Sequence, residues 1–193
     1  MTTGTGDGQR EPREALKRVA VALKQSGLRF ALAGGYAAWV HGAPEPEHDV
    51  DFVVAGDDAD RAYAALEKAG LRVEQPPEDW LFKVFTDGTM VDVAHRLNTS
   101  PVDAAVLDRA GDLEVLSILM PVLSATDVLT SKLNALDEHY CDYAKLLPVA
   151  RALREQVDWD RVREDSAAND FAVTALFLFD RLAIMQSAPA AAG

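Results

Sequence analysis

The sequence predicts an α+β fold, in which a mixed-sheet core with flanking helices is followed by a C-terminal helical bundle. Apolar runs typical of strands alternate with amphipathic stretches only up to about residue 121. From Ser124 onward the apolar residues recur at helical spacing. We therefore expect a core over residues 10–121 and a helical region packed on it over residues 122–186.

The elements of the core follow from local signals, with Gly27 and Gly70 ending helices and Asp87-Gly88 forming a hairpin turn. Helices are predicted at residues 11–25, 36–40 and 57–69. Strands are predicted at residues 28–33, 48–55, 71–74, 80–86, 90–97 and 114–119.

The C-terminal region contains helical signals only. Ser124 with Asp127 resembles a capping box, and Pro148 is expected to bend one helix. Helices are predicted at residues 125–136, 139–155, 159–166 and 169–185. The Gly/Thr-rich residues 1–9 and the Ala/Pro-rich residues 187–193 are predicted to be disordered.

The charge of the chain excludes one class of function. Lysine and arginine number 19 against 31 aspartates and glutamates, for a net charge of -12. Such a surface repels nucleic acid at long range, which argues against non-specific DNA binding but leaves room for a local basic patch.

The cysteine content and the ends of the chain indicate a cytoplasmic protein. The single cysteine, Cys141, has no partner for a disulfide or a thiolate zinc site. Residues 1–9 lack the apolar core of a secretion signal, and the run at 171–179 is too short to span a bilayer. We therefore expect no membrane association.

The main chemical signal is Asp49-Val50-Asp51 within a predicted strand. Side chains at i and i+2 lie on the same face of a strand, so the two carboxylates would lie side by side. Buried like charges are costly unless they are neutralised, and Mg²⁺ prefers such oxygen ligands. A metal site is the functional interpretation; a pair of surface strand acids is the alternative for this short motif alone.

Two further features strengthen the metal interpretation. Asp92 is the one acid in the apolar segment 90–94, and it would join the first two if its strand neighbours theirs. Gly34-Gly35 lies between a strand and a short helix, where the backbone can approach a phosphate closely. An edge-strand acid is the alternative interpretation of Asp92.

Together these motifs resemble the nucleotidyltransferase superfamily of the polymerase-beta type. The resemblance rests on the segment from Gly34 to Gly42, on Asp49-Val50-Asp51-Phe52 and on Val91-Asp92-Val93, and it covers residues 28–97. Within the superfamily the sequence is most similar to the AbiEii and MenT-like toxin group. Lys132 and Asp142 resemble a lysine and an aspartate that these toxins place near the triphosphate.

The resemblance implies a site and a reaction. Asp49, Asp51 and Asp92 would bind Mg²⁺ or Mn²⁺, with Asp92 completing the triad or acting as a base. Lys132 and Asp142 would join them as catalytic residues. The nucleoside triphosphate (NTP) would be bound by Gly34, Gly35, Tyr36 and Lys132. The reaction would move an NMP to a hydroxyl acceptor, which in the toxin group can be the tRNA 3′ end and would imply a cognate antitoxin.

Other interpretations remain open at this stage. Glu45 and Glu47 stand where relatives often carry a basic residue and a Thr or Ser, so an inactive binding protein of the same fold is one alternative. Adenylylation of a small molecule such as an antibiotic is another, because an acidic protein suits a cationic acceptor. Lys132 could also be a solvated lysine, and Asp142 could simply pair with Lys145.

Overall fold

A computed structural model of the chain describes residues 10–86 and 88–185. The predictions for residues 1–9, for Asp87 of the hairpin turn and for residues 186–193 lie outside the described residues. The described helices are α1 (Arg10–Ser26), α2 (Gly34–Val40), α3 (Ala59–Lys68), α4 (Ala104–Asp108), α5 (Ala125–Asn134), α6 (Tyr143–Leu153), α7 (Trp159–Asp165) and α8 (Asp170–Arg181). The described strands are β1 (Phe30–Ala33), β2 (Val50–Val54), β3 (Arg72–Glu74), β4 (Leu81–Thr86), β5 (Thr89–Ala94), β6 (Arg96–Leu97), β7 (Ser100–Pro101), β8 (Gly111–Val115) and β9 (Ile118–Val122).

The main sheet is mixed, which confirms the predicted α+β class. Within the described residues it has seven strands in the order β3-β4-β5-β2-β1-β9-β8. Strands β2 and β5 are parallel neighbours, and so are β1 and β9, while the remaining pairs are antiparallel. Strands β6 and β7 form a separate two-stranded sheet.

The two faces of the sheet differ in character. One face is apolar, because Phe52 of β2 and Val93 of β5 alternate with the polar residues of the same strands. Helices α1 and α3 cover this face, and Tyr63 of α3 contacts the Phe82 ring at 5.6 Å between centroids. The opposite face carries the polar side chains of β2, β4 and β5.

The C-terminal helices pack around α5, which in turn packs on α2. As the capping pattern predicted, Ser124 caps α5 by accepting a hydrogen bond from the Asp127 N–H at 3.1 Å. Helix α6 begins at Tyr143 rather than at residue 139, because Asp142 caps it and Asp137 organises the preceding turn. The division at residue 121 stays a prediction; strand β9 extends to Val122.

Two predictions about the middle of the chain are wrong, and one short helix there was not predicted. The strand predicted at 114–119 is a hairpin, since Leu116 and Ser117 adopt positive φ angles of 50° and 66° and turn the chain between β8 and β9. The strand predicted at 90–97 ends at Ala94, because the His95 N–H and carbonyl bond to residues outside the sheet ladder. The short helix α4 was not predicted; Asp103 caps it.

Within residues 10–86 and 88–185, no helix combines the length and the apolar character that crossing a bilayer requires.

Candidate active site

The site is built around the bend between β1 and α2. Ala33 of β1 is the register partner of Asp51 on β2, and the chain then turns sharply at Gly34, whose φ is +59°. A Cβ atom at Gly34 would overlap the Asp51 Oδ2 and lie 2.6 Å from its Cγ, so only glycine fits here. A Cβ atom at Gly35 would lie 2.9 Å from the Cβ of Pro46. The Gly-Gly pair therefore lets the backbone pack directly against the Asp51 carboxylate.

The structure brings Asp51 and Asp92 together. They are register partners on the parallel strands β2 and β5, so their side chains share the polar face of the sheet. We call these two residues the acid pair. Asp49 lies two residues upstream, just before β2, and is exposed. Its charge nevertheless reaches Asp51.

The acid pair carries negative charge that the protein only partly compensates. Burial raises the pKa of Asp51 from 3.8 to about 6, and the charges of Asp92 and Asp49 contribute to the rise; Lys132 and a hydrogen bond from the Gly35 N–H oppose the shift. The Gly35 N–H thus contacts a carboxylate in this structure. A carboxylate with a raised pKa among other acids is the environment in which a bound cation gives the greatest relief.

Lys132 connects the acid pair to a cavity. Burial lowers the pKa of its ammonium group, and the charges of Asp51 and Asp49 act in the opposite direction. Lys132 is also part of the wall of a cavity of about 250 Å³, formed between α5 and α6. The cavity is mainly apolar, with the half-exposed Tyr140 in its wall.

Asp142, the fifth predicted catalytic residue, lines this cavity rather than joining the acid pair. It caps α6 by accepting a hydrogen bond from the Lys145 N–H at 3.3 Å, and its Oδ2 lies 3.6 Å from the Lys145 Nζ. The pairing with Lys145 that the sequence suggested is therefore present. Asp142 shares with Lys132 only the cavity wall.

Tyr36, a predicted triphosphate-binding residue, is fully buried. Its ring packs edge-on against Trp39 at 5.8 Å between centroids. Burial raises the pKa of its hydroxyl to about 12, and the charge of Glu45 contributes to the shift. The side chain therefore supports α2 from within the core.

Glu45, which the sequence placed near the triphosphate as an unfavourable charge, is neutralised. The Arg13 guanidinium of α1 donates two hydrogen bonds to its carboxylate, at 2.7 and 2.5 Å, and this pairing holds the pKa of Glu45 below its usual range. Glu47 points into solvent with 89% of its side chain exposed. Neither acid thus presents an unpaired buried charge to the site.

Lys83 is a residue near the site that the sequence interpretation missed. It is the register partner of Asp92 on β4, and its Nζ lies 3.1 Å from the Asp92 Oδ1. It is the only charged residue among residues 80–86, in an otherwise apolar predicted strand. An isolated charge of that kind was the same signal that singled out Asp92.

The acids do not by themselves form a closed metal cage. Over residues 10–86 and 88–185, no group of three or more His, Cys, Asp or Glu side chains is gathered closely enough to hold a metal ion. The acid pair still fits Mg²⁺, which usually takes one or two carboxylates and completes its coordination with water and substrate phosphates.

The chain is similar in structure to known nucleotidyltransferases. No family model matches it, and no curated protein matches it by sequence. The crystal structure of ANT(2″)-Ia in complex with adenylyl-2″-tobramycin matches with a TM-score of 0.58 at 15% identity, covering 84% of this chain and 97% of that chain.

Two further structures show the same similarity. The lincomycin-bound lincosamide antibiotic adenylyltransferase LnuA matches with a TM-score of 0.50 at 13% identity, over 70% of this chain and 92% of that chain. The Megavirus polyadenylate synthase matches with a TM-score of 0.51 at 11% identity, over 79% of this chain and 32% of that one. The chain therefore has the nucleotidyltransferase fold, as the sequence predicted.

Proposed function

We propose that the chain is a metal-dependent nucleotidyltransferase that moves an NMP from an NTP to a hydroxyl acceptor. The observation that carries the proposal is the acid pair, since the register of β2 and β5 places the two carboxylates side by side next to the Gly34 bend. Lys132, which is partly buried, adds a positive charge that acts on Asp51. Carboxylates for metal and a lysine for phosphate are the groups that phosphoryl-type transfer uses.

The donor atoms suit a hard divalent cation. Asp51 and Asp92 offer carboxylate oxygens, and Asp49, exposed just before β2, adds a negative charge that acts on Asp51. We propose Mg²⁺ or Mn²⁺ as the ion. Bound there, it would neutralise the charge of the acids and stabilise the charge that develops on the transferred phosphate.

The protein's own groups then have distinct roles. Asp92 accepts the proton of the acceptor hydroxyl, whose oxygen forms the new bond to the α-phosphorus while the bond to pyrophosphate breaks. Lys132 binds the triphosphate and offsets the charge of the departing pyrophosphate. The cavity beside Lys132 provides apolar space for an uncharged part of a substrate.

Two acceptor classes are in competition. The resemblance of the sequence to the AbiEii and MenT-like toxins favours the tRNA 3′ end, in a toxin with a cognate antitoxin. The structural similarity to the antibiotic-modifying proteins ANT(2″)-Ia and LnuA favours a small molecule, and the net charge of -12 suits a cationic one. The third interpretation, an inactive binding protein of the same fold, loses the support of Glu45, since Arg13 neutralises that acid.

The test is label transfer from each of the four NTPs, with Mg²⁺ and either total tRNA or an aminoglycoside. We expect transfer by the wild type and a loss on the order of a hundredfold or more in Asp51→Asn and Asp92→Asn. Asp112→Asn is the matched control, because Asp112 is exposed on β8, away from the acid pair. Equal transfer by wild type and acid-pair variants would contradict the proposal, and the acceptor that takes label decides between the two classes.

A further inference from the structure

The acid pair belongs to a longer row of charged residues that crosses the sheet. Register pairing links Glu74 of β3 to Lys83 of β4, Lys83 to Asp92 of β5, and Asp92 to Asp51 of β2. Register partners point to the same face of a sheet, so the four side chains lie in line on its polar face. Lys83 therefore stands between one acid on its outer side and the acid pair on its inner side.

Lys83 is bound to the inner side of this row. Its Nζ lies 3.1 Å from the Asp92 Oδ1, and both side chains are largely buried, with 27% and 29% exposed. Glu74 on the outer side is already bound by Arg72, whose Nε donates to the Glu74 Oε1 at 2.8 Å. Lys83 therefore contacts an acid of the candidate site, while Glu74 is bound by Arg72.

We infer that Lys83 is the built-in counter-cation of Asp92 and that a divalent metal ion replaces it there. The inference rests on the proposed function, because it requires metal to bind at the acid pair. A metal ion bound to the Asp92 carboxylate would lie next to the Lys83 ammonium group, and the two positive charges would repel each other. Metal binding therefore weakens the contact between Lys83 and Asp92, and Lys83 in turn weakens metal binding.

The other two acids differ in this respect. Asp51 is compensated by Lys132 across the site, whose charge acts on both Asp51 and Asp49. Lys132 comes from α5 and acts on these two acids through its charge. Lys83 comes from the strand next to Asp92 and contacts its carboxylate directly.

The experiment measures Mn²⁺ binding to protein stripped of metal, by calorimetry and by electron paramagnetic resonance of free Mn²⁺. We expect Lys83→Met to bind Mn²⁺ about 5- to 20-fold more tightly than wild type. Lys83→Arg, which keeps the positive charge, is expected to stay near the wild type. Lys17→Met is the matched control, because it removes the same charge from a lysine that pairs with Glu14 within α1.

A double-mutant cycle separates the direct effect from a general change in charge. In an Asp92→Asn background, Lys83→Met is expected to leave the Mn²⁺ affinity unchanged, because the contact through which Lys83 acts is gone. An Mn²⁺ affinity of Lys83→Met at or below that of wild type overturns the inference, and so does an effect of Lys83→Met that persists in the Asp92→Asn background.

The same measurements distinguish the failure of the inference from that of the proposed function. If Mn²⁺ binds and label is transferred, but Lys83→Met has wild-type affinity, only the role of Lys83 is wrong. If the wild type binds no Mn²⁺ with or without an NTP, both are wrong. Thermal unfolding gives an independent readout: metal-free Lys83→Met is expected to melt below wild type, and saturating Mn²⁺ is expected to reverse that loss.

Discussion

Gly34 is required for two reasons. Its φ is +59°, and a Cβ atom would overlap the Asp51 carboxylate. Only the first reason applies to Gly27, at the end of α1, since its φ is +70° and an added Cβ would meet nothing within 4 Å. A comparison of variants at the two glycines therefore distinguishes the effect of backbone strain from the effect of contact with the site.

We predict that Gly34→Ala and Gly27→Ala both lower stability, by roughly 1–2 kcal/mol each from the left-handed backbone alone. Only Gly34→Ala must also displace the Asp51 side chain, so it should lose Mn²⁺ binding and nucleotidyl transfer as well. Chemical unfolding and Mn²⁺ titration of both variants measure the two effects. Retained metal binding in Gly34→Ala would show that Asp51 moves aside without consequence.

Asp51 gives the metal-free protein an unusual dependence on pH. Its pKa is raised in the folded state, to about 6 from 3.8, so protonation of this group stabilises the fold. The contribution is present in full below about pH 4 and is lost as the pH rises through about 6. The pKa of Asp127 shifts in the opposite direction. Burial acts to raise it, but hydrogen bonds from Arg109, Ser124 and Arg161 stabilise the ionised carboxylate and lower the pKa overall.

We predict that Asp51→Asn stabilises the metal-free protein at neutral pH, by roughly 1–3 kcal/mol. The stabilisation should shrink as the pH falls from about 7 to about 4, because the wild-type carboxyl then becomes protonated and resembles the amide. Thermal melts of both proteins in a chelator, at several pH values across this range, measure the difference. A difference that does not vary with pH would mean that Asp51 titrates normally.

At the scale of elements, the loop between α2 and β2 is held in place by α1. Arg13 binds Glu45 through two hydrogen bonds and lies over the Trp39 ring of α2, with its guanidinium carbon 5.7 Å from the ring centroid. Pro46 of the same loop packs against Gly35. The loop ends at Asp49, so these contacts set the position from which Asp49 approaches the acid pair.

We predict that Arg13→Glu and Glu45→Arg each reduce nucleotidyl transfer and the melting temperature, because each puts two like charges face to face. The exchanged double variant restores opposite charges and should recover much of both losses. If the pair only stabilises the fold, activity would follow the melting temperature; if it positions Asp49, activity measured well below the melting temperature would still fall in the single variants. A double variant no better than either single one would contradict a direct pairing.

The elements that were predicted correctly have short-range signals, and those that were missed do not. Strands β2 and β5 are apolar runs interrupted by Asp51 and Asp92, so the acids stood out, and the pairing of the two strands brings them together. The turn at Leu116-Ser117 contains no Gly, Asn or Pro, so the strongest local turn signals are missing there.

Charge pairs between residues distant in the sequence were the part of the site that the sequence could not predict. Arg13 lies 32 residues from Glu45, and nothing in the chain links the two before it folds. Lys83 is nine residues from Asp92, and their contact depends on the register of the β4–β5 hairpin. The sequence interpretation therefore misjudged Glu45 as an unfavourable charge in the site, because the residue that neutralises it is distant in the chain.

At the scale of the whole molecule, the helical region and the sheet are joined by a continuous core and by polar contacts. The buried apolar cluster includes both Phe52 of the sheet and Phe179 of α8. Asp127 of α5 binds Arg109 at 2.8 Å and also binds Arg161 of α7. At the end of α2, His41 lies 2.7 Å from the Leu123 carbonyl through its Nε2.

We predict from these contacts that residues 10–185 unfold in a single transition, although their elements divide into a sheet-rich and a helical part. Trp39 of α2 reports on the core and Trp159 of α7 on the helical region. Variants that keep one of these tryptophans, with the others changed to Phe, should show the same midpoint in denaturant. Asp127→Asn, which leaves Arg109 and Arg161 without their carboxylate, should lower both midpoints together. Separate midpoints would instead show that residues 122–186 fold as a unit of their own, and Lys132 would then reach the acid pair from a domain able to move relative to it.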